Sequence, residues 1–383
     1  MNFKILFLCM FFIFGLFLVD VRGAVKGLCS NCHTMHNSQA GSAVSSEGLN
    51  QNLLKTDCIG CHSNTGPETI KVIGTSTKVP VIYNLVEPTY NVGLSASGDT
   101  NCLAGGNFYW VEHVGDQYGH NVISHADATL SEAPGRNQGC TGSCHYSLYS
   151  WRFPWPNSEG KGCTSCHTPA HHKKGYSTPI ADEEDGWYRF LARRHAQGPD
   201  SDNRNVKGLE DPDWQQTVSP TDHNEYWDTD TFGPDNAGIS RFCAACHGQF
   251  HSTRYGPWIN GGFRGGPGGG WHTAPWLRHP AGIFLPATGE ASKYNTDGSG
   301  ADGETGPYHP LAPVSRQNID SYTAPSSQVS VGSDGDMVSC LSCHRAHGSP
   351  YPDMLRWDYL NKCNVGVANE ECGCFICHTQ KDD

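Results

Sequence analysis

Fourteen of the 18 cysteines stand in pairs that are followed at once by a histidine. In six of these pairs two residues separate the cysteines, which gives the C-x-x-C-H pattern typical of covalently attached c-type haem. In that chemistry both sulfurs bind the porphyrin and the histidine binds its iron. The predicted attachment cysteines of the six sites are Cys29/Cys32, Cys58/Cys61, Cys163/Cys166, Cys243/Cys246, Cys340/Cys343 and Cys374/Cys377, and the proximal ligands are His33, His62, His167, His247, His344 and His378.

The seventh pair, Cys140 and Cys144 before His145, has three intervening residues in the stretch CTGSCH. Residues three or four positions apart lie on the same face of a helical turn, so either spacing can present two sulfurs to one porphyrin. We therefore predict seven covalently attached haem c groups. The alternative at this site is a cysteine pair without a cofactor. Zinc is the alternative for any single pair, but predicted export and the histidine that follows each pair favour haem.

Four cysteines stand outside these motifs. Cys9 lies in the N-terminal leader. Cys363 and Cys372 flank the loop NVGVANEE, and a disulfide between them would suit an oxidising compartment. Alternatively, Cys372 competes with Cys374 for the last haem. For Cys102 the sequence leaves both a free thiol and an unidentified partner open.

Thirteen histidines remain after the seven proximal ones, and seven irons need seven ligands on their second face. Beyond the leader only three methionines could serve as thioether ligands, namely Met35, Met337 and Met354. Histidine on both faces is therefore the economical assignment. It favours low reduction potentials, because methionine ligation raises them. Nearly half of the thirteen histidines must then be ordinary polar side chains.

Four of these histidines follow a proximal histidine by only three or four residues, namely His36, His171, His251 and His347. A segment of this length spans at most about 10–14 Å, which is too short to pass round a porphyrin to its opposite face. Each of the four is therefore predicted to bind the iron of a different haem. Four such links predict a continuous row of closely spaced haems.

The elements that must position these groups begin after an N-terminal leader. Lys4, the apolar run ILFLCMFFIFGLFLV and small residues up to Gly23 are typical of a secretory signal peptide. We expect a signal peptide over residues 1–23 and a mature chain over 24–383. The alternative is an uncleaved anchor, although the apolar run is short for a bilayer span, which needs about 20 residues. No later segment is apolar enough to cross a membrane, so an exported protein is predicted.

The composition bounds both the partners and the fold. A formal net charge of −12 argues against nucleic acid and anionic lipid as partners. Only 37% of the residues are hydrophobic, Gly and Pro are frequent, and no helical or strand periodicity persists beyond short runs. The sequence therefore predicts a multihaem c-type cytochrome of mostly irregular coil, with short helices and few short strands. These segments wrap around a row of haems as a single elongated unit.

Several stretches give the sequence a family resemblance. The motifs CSNCHTMHNS, GGNFYWV, GHNVISHADATLSEAPG, CTSCHTPAHH, CAACHGQFH, LRHPAG, CLSCHRAHGSPYPDMLRW and CFICHTQKDD occur in this order and cover about half of the mature chain. The sequence thereby resembles the outer-membrane cytochrome S family, hexahaem cytochromes that polymerise into extracellular filaments. The resemblance implies histidine on both faces of each haem and a haem row along a filament axis.

The resemblance also implies the distal ligands. Matched motif by motif, the family's distal histidines fall on His36, His120, His171, His251, His279 and His347. In the family the MHN histidine leaves its own subunit and binds the haem of the CLSCH motif next door. Here this implies that His36 binds the iron above His344 of an adjacent subunit.

Two departures from the family pattern concern the distal ligands. The haem predicted at Cys140/Cys144 is additional to the family's six and needs another ligand, for which we predict His125. His113, His172 and His309 could serve in its place. His171 stands four residues beyond His167, where the family has three, so His172 could also replace His171.

The leading functional hypothesis is extracellular electron transfer by a homopolymer that exchanges electrons with other redox proteins or extracellular acceptors. The first alternative is a monomeric periplasmic electron carrier. The second is a multihaem nitrite or hydroxylamine oxidoreductase, which needs an iron with an open position. That hypothesis is disfavoured, because no C-x-x-C-K motif occurs and distal histidines are in excess. We therefore expect an electron-transfer protein rather than an enzyme, at the outer cell surface or beyond it.

Overall fold

A computed structural model describes the protein over residues 27–46, 48–50, 52–91, 103–123, 162–167, 169, 171, 188–191, 206–230, 238–244, 247, 279 and 281–381. The predicted signal peptide, residues 1–23, lies outside these residues. Within them, no helix has the length and apolar character needed to span a bilayer.

The helices of the described residues are short. The α-helices are α1 (Cys58–His62), α2 (Tyr109–His113), α3 (Ile239–Ala244) and α4 (Tyr359–Lys362). Single 3-10 turns cover Cys29–Asn31, Asp116–Tyr118, Gly162–Ser165, Tyr188–Phe190, Glu290–Lys293, Ile319–Ser321, Cys340–Ser342, Pro352–Met354 and Gly373–Ile376. Most of the attachment motifs form or begin one of these turns. The prediction of short helices is confirmed.

The strands are short as well, and they pair locally. They are β1 (Ser38–Gln39), β2 (Ser42–Ala43), β3 (Ser63–Asn64), β4 (Ile70–Ile73), β5 (Thr77–Pro80), β6 (Tyr83–Asn84), β7 (Gly208–Leu209), β8 (Glu225–Tyr226), β9 (Ile283–Phe284), β10 (Ser315–Arg316) and β11 (Asp336–Val338). Antiparallel pairs join β1 to β2, β4 to β5 and β7 to β8, and the parallel pair β3–β6 joins more distant segments. One three-stranded antiparallel sheet has the order β10-β11-β9.

The longest hairpin joins β4 and β5 and follows from its sequence. Ile70 pairs with Pro80 and Ile73 with Thr77, and β-branched side chains of this kind favour strands. The turn between the strands starts at Gly74, whose φ of +67° suits glycine. Proline at a strand end removes no interior ladder hydrogen bond. The hairpin is important for function because the Pro80 carbonyl accepts a hydrogen bond from the proximal histidine of α1.

Among the described residues, the buried apolar side chains form three small clusters rather than one large interior. Their members are Leu285, Tyr294, Tyr308, Ala312, Val314, Val329 and Ile376 in the first cluster, Tyr188, Val206, Tyr226 and Ile239 in the second, and Phe108, Val111 and Val122 in the third. Each cluster touches a predicted haem site, because Ile376 belongs to the last motif, Ile239 begins α3, and the Phe108 ring lies 4.7 Å from the ring of His347. The predicted fold class, coil with few short elements around haems, is confirmed.

A buried ion network holds β8, β10 and β11 together. Arg316 is fully buried, and its guanidinium binds both Glu225, at 3.1 Å, and Asp336. The same guanidinium donates to the Ser326 and Gln328 carbonyls. Burial disfavours the carboxylate of Glu225, but hydrogen bonding to His223 and the charge of Arg316 outweigh it and lower the pKa of Glu225. The network links segments that are distant in the sequence.

We predict that Arg316→Leu lowers the free energy of unfolding by about 3–5 kcal/mol, because it leaves two buried carboxylates without a cation. Chemical denaturation followed by circular dichroism measures this change. The matched control is Lys207→Ala, which removes a cation from the ion pair with the exposed Asp320 and should cost less than about 1 kcal/mol. Equal losses in the two variants would contradict a special role for the buried network.

Candidate haem-binding sites

Each described C-x-x-C-H motif folds into one tight turn. The backbone N–H of its histidine donates to the carbonyl of the first cysteine, four residues earlier, at 2.8 to 3.1 Å in the motifs of His33, His167, His247, His344 and His378. His62 is the last residue of α1, which begins at Cys58. This turn brings the side chains of the motif to one side of the backbone, as thioether attachment and proximal ligation both require.

Consecutive described attachment sites are neighbours in space. The thiols of Cys58 and Cys163 lie close enough to shift each other's pKa, and the thiol of Cys340 is close enough to raise the pKa of Cys243. Three further pairs lie close enough to interact electrostatically, namely Cys32 with Cys61, Cys166 with Cys243, and Cys343 with Cys374. The described sites therefore follow one another in the order in which their motifs occur in the chain.

Among the described residues, four proximal histidines face a second imidazole. The ring centroids are 6.3 Å apart for His62 and His171, 6.1 Å for His167 and His347, 6.0 Å for His247 and His120, and 6.1 Å for His378 and His279. These second members are four of the histidines expected to be distal ligands. His171 and His347 each face the proximal histidine of a motif other than the one that they directly follow in the chain.

These separations match the geometry of an iron held between two imidazoles. Two rings that bind one metal ion from opposite sides, with metal–nitrogen distances of about 2.0 Å, have centroids about 6.4 Å apart, since each centroid lies about 1.2 Å behind its nitrogen. Directly stacked rings would be closer, as for His223 and Tyr308, whose centroids are 3.6 Å apart. The four pairs therefore leave room for one metal ion each.

Hydrogen bonds at Nδ1 fix the orientation of the rings. The Nδ1 atoms of His62, His167 and His344 lie 2.9, 2.9 and 2.7 Å from the carbonyl oxygens of Pro80, Arg189 and Asp353, respectively. His120 makes the same contact with the Ala346 carbonyl at 2.6 Å. Donation from Nδ1 leaves Nε2 unprotonated and able to bind a metal, which is the usual arrangement of histidine ligands. The residues present thus fit a haem iron.

The electrostatic environment keeps the buried rings neutral. Burial and, to a smaller extent, the facing imidazole lower the pKa of His120 to about 4 and that of His347 to about 3. Burial also lowers the pKa of His62, His167 and His344. Since only neutral imidazole binds a metal ion, these rings are ready for coordination at neutral pH.

The last described site differs from the others in its acceptor. The Nδ1 atom of His378 lies 2.6 Å from the carboxylate of Glu290, which also pairs with Lys381 at 3.3 Å. Partial burial disfavours the charge of Glu290, but hydrogen bonds with His378 and Lys381 outweigh it and lower its pKa. A carboxylate acceptor makes an imidazole a stronger base than a carbonyl acceptor does.

His36 and His344 are arranged differently from the four pairs. His36 is exposed, has a φ of +54°, and has its Nδ1 atom 2.9 Å from the Asn50 carbonyl oxygen. This contact orients the ring and leaves Nε2 as its metal-binding atom, at the surface of the protein. No second imidazole ring stacks against His344 among the residues that the structure describes.

Some predicted site residues lie outside the described residues, so their placement stays a prediction. They are Cys140, Cys144, His145, Cys246, His125, His251, His172 and the unassigned Cys102.

Two histidines that could replace His125 as the ligand of the additional haem do lie within the described residues. His113 is exposed, with its Nδ1 atom 2.8 Å from the Tyr109 carbonyl oxygen. The Nδ1 atom of His309 instead accepts a hydrogen bond from the Leu311 N–H. That contact places the ring proton of His309 on Nε2 and disfavours ligation there.

Two supporting residues were not found by sequence reasoning. A Cβ atom at Gly105 would lie 2.8 Å from Nδ1 of His347, so this ring requires glycine beside it. Arg356 is buried, and its side chain donates to the neutral carbonyls of Leu341 and Pro310. A buried guanidinium without a counter-charge is costly, and the carboxylates of a porphyrin attached at the neighbouring Cys343 would supply one.

The pairing of the remaining cysteines is resolved in part. Cys363 and Cys372 form a disulfide, with Cα atoms 5.2 Å apart. The expectation of a disulfide here is confirmed. The competing arrangement, in which Cys372 takes the last haem, is not the pairing that the structure shows.

We predict that Glu290→Gln raises the reduction potential of one haem, because a neutral acceptor makes His378 a weaker donor to ferric iron. Spectroelectrochemical titration of the purified protein measures the shift as a displaced component of the redox curve. The control variant Glu371→Gln removes an equal charge near the same motif, from an exposed pair with Lys362. An equal upward shift in the control would assign the effect to net charge rather than to the hydrogen bond.

Comparisons with known proteins agree with this geometry. Residues 332–383, which contain the last two attachment motifs, match the family model described as doubled CXXCH motif. The sequence is 26% identical to the C-type cytochrome OmcS of Geobacter sulfurreducens, over 86% of this chain and 78% of that protein. The solved outer membrane cytochrome S filament of the same organism matches with a TM-score of 0.50 and 22% identity, covering 94% of this chain and 93% of that one. The chain thus carries a doubled CXXCH motif, is similar in sequence to outer-membrane cytochrome S, and shares the fold of its filament subunit.

Proposed function

We propose that this protein is an electron-transfer cytochrome that polymerises into an extracellular filament. The observation that carries the proposal is the set of facing imidazole pairs at neighbouring attachment motifs. Each pair takes its two histidines from distant parts of the chain. Such pairs support a row of irons in which each of these four sites is tied to another part of the chain. The curated relative and the solved filament support the same function.

Bound haem supplies one-electron chemistry, and the protein residues set its conditions. Neutral imidazoles on both faces would leave no open position for a substrate and favour low potentials. The carbonyls of Pro80, Arg189 and Asp353 hold the proximal rings in the tautomer that binds iron. Closely spaced sites then allow electrons to pass from haem to haem, which favours an electron carrier over an oxidoreductase.

We infer that seven haem c groups are attached to each chain, the seventh at Cys140 and Cys144. The proximal ligands are the histidines of the seven motifs, and the distal ligands include His125 and His251 as well as the four histidines in the facing pairs. Residues 24–383 form one elongated unit, and residues 1–23 direct export. The partners are further copies of this chain and redox proteins or acceptors outside the cell.

The link between subunits is the most specific part of the proposal. His36 is exposed, and the Asn50 carbonyl orients its ring so that Nε2 is the metal-binding atom. His344 is oriented by the Asp353 carbonyl but faces no second ring among the described residues. We infer that His36 of one subunit is the distal ligand of the haem at His344 in the next. A coordinate bond of this kind would continue the row of irons across the interface.

We predict that His36→Ala abolishes filaments, because one haem of every subunit loses the ligand donated by its neighbour. Electron microscopy of material sheared from cells measures filament length, and absorption spectroscopy reports a high-spin iron where the ligand is missing. The matched control is His113→Ala, which removes another exposed imidazole with a backbone hydrogen bond at Nδ1 and should leave the filaments intact. Monodisperse particles in the wild type, with no effect of His36→Ala, would instead support a monomeric periplasmic carrier.

We also predict an intact mass equal to the mature polypeptide plus seven haems. The double variant Cys140→Ser/Cys144→Ser should lose the mass of one haem, because a hydroxyl cannot form the thioether. The contrary result is a wild-type protein with six haems and a double variant that also has six. It would show that CTGSCH carries no cofactor.

A further inference from the structure

Three cysteine sulfurs meet beside the last attachment motif. Cys363 and Cys372 form the disulfide, and the sulfur of Cys374 lies within 4.8 Å of both of theirs. Cys374 is also the first attachment cysteine of the motif that ends in His378. One thiol that must react with a porphyrin therefore stands within reach of a disulfide.

The local structure holds the three sulfurs together. Cys372 is fully buried, and its carbonyl accepts from the N–H of Phe375 at 3.1 Å, which starts the turn of the motif. The Trp357 ring packs on Gly373, where a Cβ atom would lie 2.2 Å from it. Lys362 and Glu371, which directly precede the two bridged cysteines, form an ion pair. Cys372 and Cys374 thus stay side by side.

Before haem is attached, this arrangement permits thiol–disulfide exchange. The thiolate of Cys374 can attack the sulfur of Cys372; the new Cys372–Cys374 bond forms, the Cys363–Cys372 bond breaks, and the electron pair leaves with Cys363. The proton lost by Cys374 is balanced by the one that Cys363 gains, so no oxidant is needed. The product has no thiol at Cys374 and cannot make its thioether.

Attachment at the wrong cysteine is a second hazard. A thiol adds across a vinyl group by forming an S–C bond and placing its hydrogen on the other carbon. Cys372 has four residues between it and Cys377, whereas the predicted site CTGSCH already stretches the motif to three. A free Cys372 would therefore compete with Cys374 for the porphyrin, but a disulfide sulfur carries no hydrogen and cannot add.

We propose that the disulfide of Cys363 with Cys372 selects Cys374 as the thiol that receives the last haem, and that attachment at Cys374 then fixes the disulfide. The selection operates because Cys372 is masked while Cys374 is free. The fixation operates because a thioether sulfur cannot carry out exchange. The proposal rests on haem attachment at Cys374 and Cys377, which belongs to the proposed function.

The test compares two variants produced in cells that attach haem. Cys363→Ser leaves Cys372 without its partner, whereas Cys363→Ser/Cys372→Ser removes the disulfide without creating a competing thiol. The free thiols are alkylated, the protein is digested without reduction, and the C-terminal peptide is analysed by mass spectrometry. The measured quantity is the fraction of chains with a thioether at Cys374.

We expect Cys363→Ser to lower this fraction to about half or less, because two neighbouring thiols then compete for the same vinyl group. The lost fraction should appear as haem on Cys372, with a free thiol at Cys374. The double variant should return to the wild-type fraction. Full attachment at Cys374 in the single variant would overturn the proposal, and so would equal losses in both variants, which would assign the disulfide a purely structural role. A wild-type protein with no thioether at either Cys374 or Cys377 would instead refute the haem site itself.

Discussion

The structure depends on imidazoles whose Nδ1 atoms are committed to an oxygen acceptor. That single hydrogen bond decides the tautomer, aims the ring and leaves Nε2 as the metal-binding atom. Most of the acceptors are backbone carbonyls, and they lie from nine residues away, as Asp353 does from His344, to 226 residues away, as Ala346 does from His120. The histidine and the carbonyl that orients its ring thus come from different segments of the chain. The short strands and the irregular segments between them must therefore be placed accurately. The hairpin that ends at Pro80 and the 3-10 turn of Asp353 serve this purpose.

The small size of the apolar clusters follows from the same design. With only 37% hydrophobic residues the chain cannot build a large protein interior, and the clusters that exist lie against the predicted haem sites. Buried polar interactions therefore hold segments together where apolar packing is limited, as in the network of Arg316 with Glu225 and Asp336. Because such a network depends on exact partners, it specifies how β8, β10 and β11 meet even where apolar packing is sparse.

The sequence predicts the features that depend on neighbouring residues, but not the contacts between distant segments. The attachment turns, the short elements and the disulfide of Cys363 with Cys372 could be predicted, because spacing within a few residues determines them. The spacing of His171 and His347 also indicated that each belongs to a haem other than that of its own motif. The partner in each pair, the glycine beside His347 and the buried counter-ions of Arg316 could not be predicted. They depend on which distant segments meet, and a single sequence does not carry that information.

The division between local and distant ligands has a consequence for the order of folding. Both cysteines and the proximal histidine of a site lie within one turn, so attachment can precede any tertiary structure. The facing histidine comes from far along the chain, and burying its neutral ring displaces water without a compensating contact until an iron is present. Folding of each site is therefore coupled to occupancy by the cofactor, as in other metal-dependent folds. The last motif adds a chemical condition to this order, since the pairing of Cys372 must be settled before Cys374 reacts.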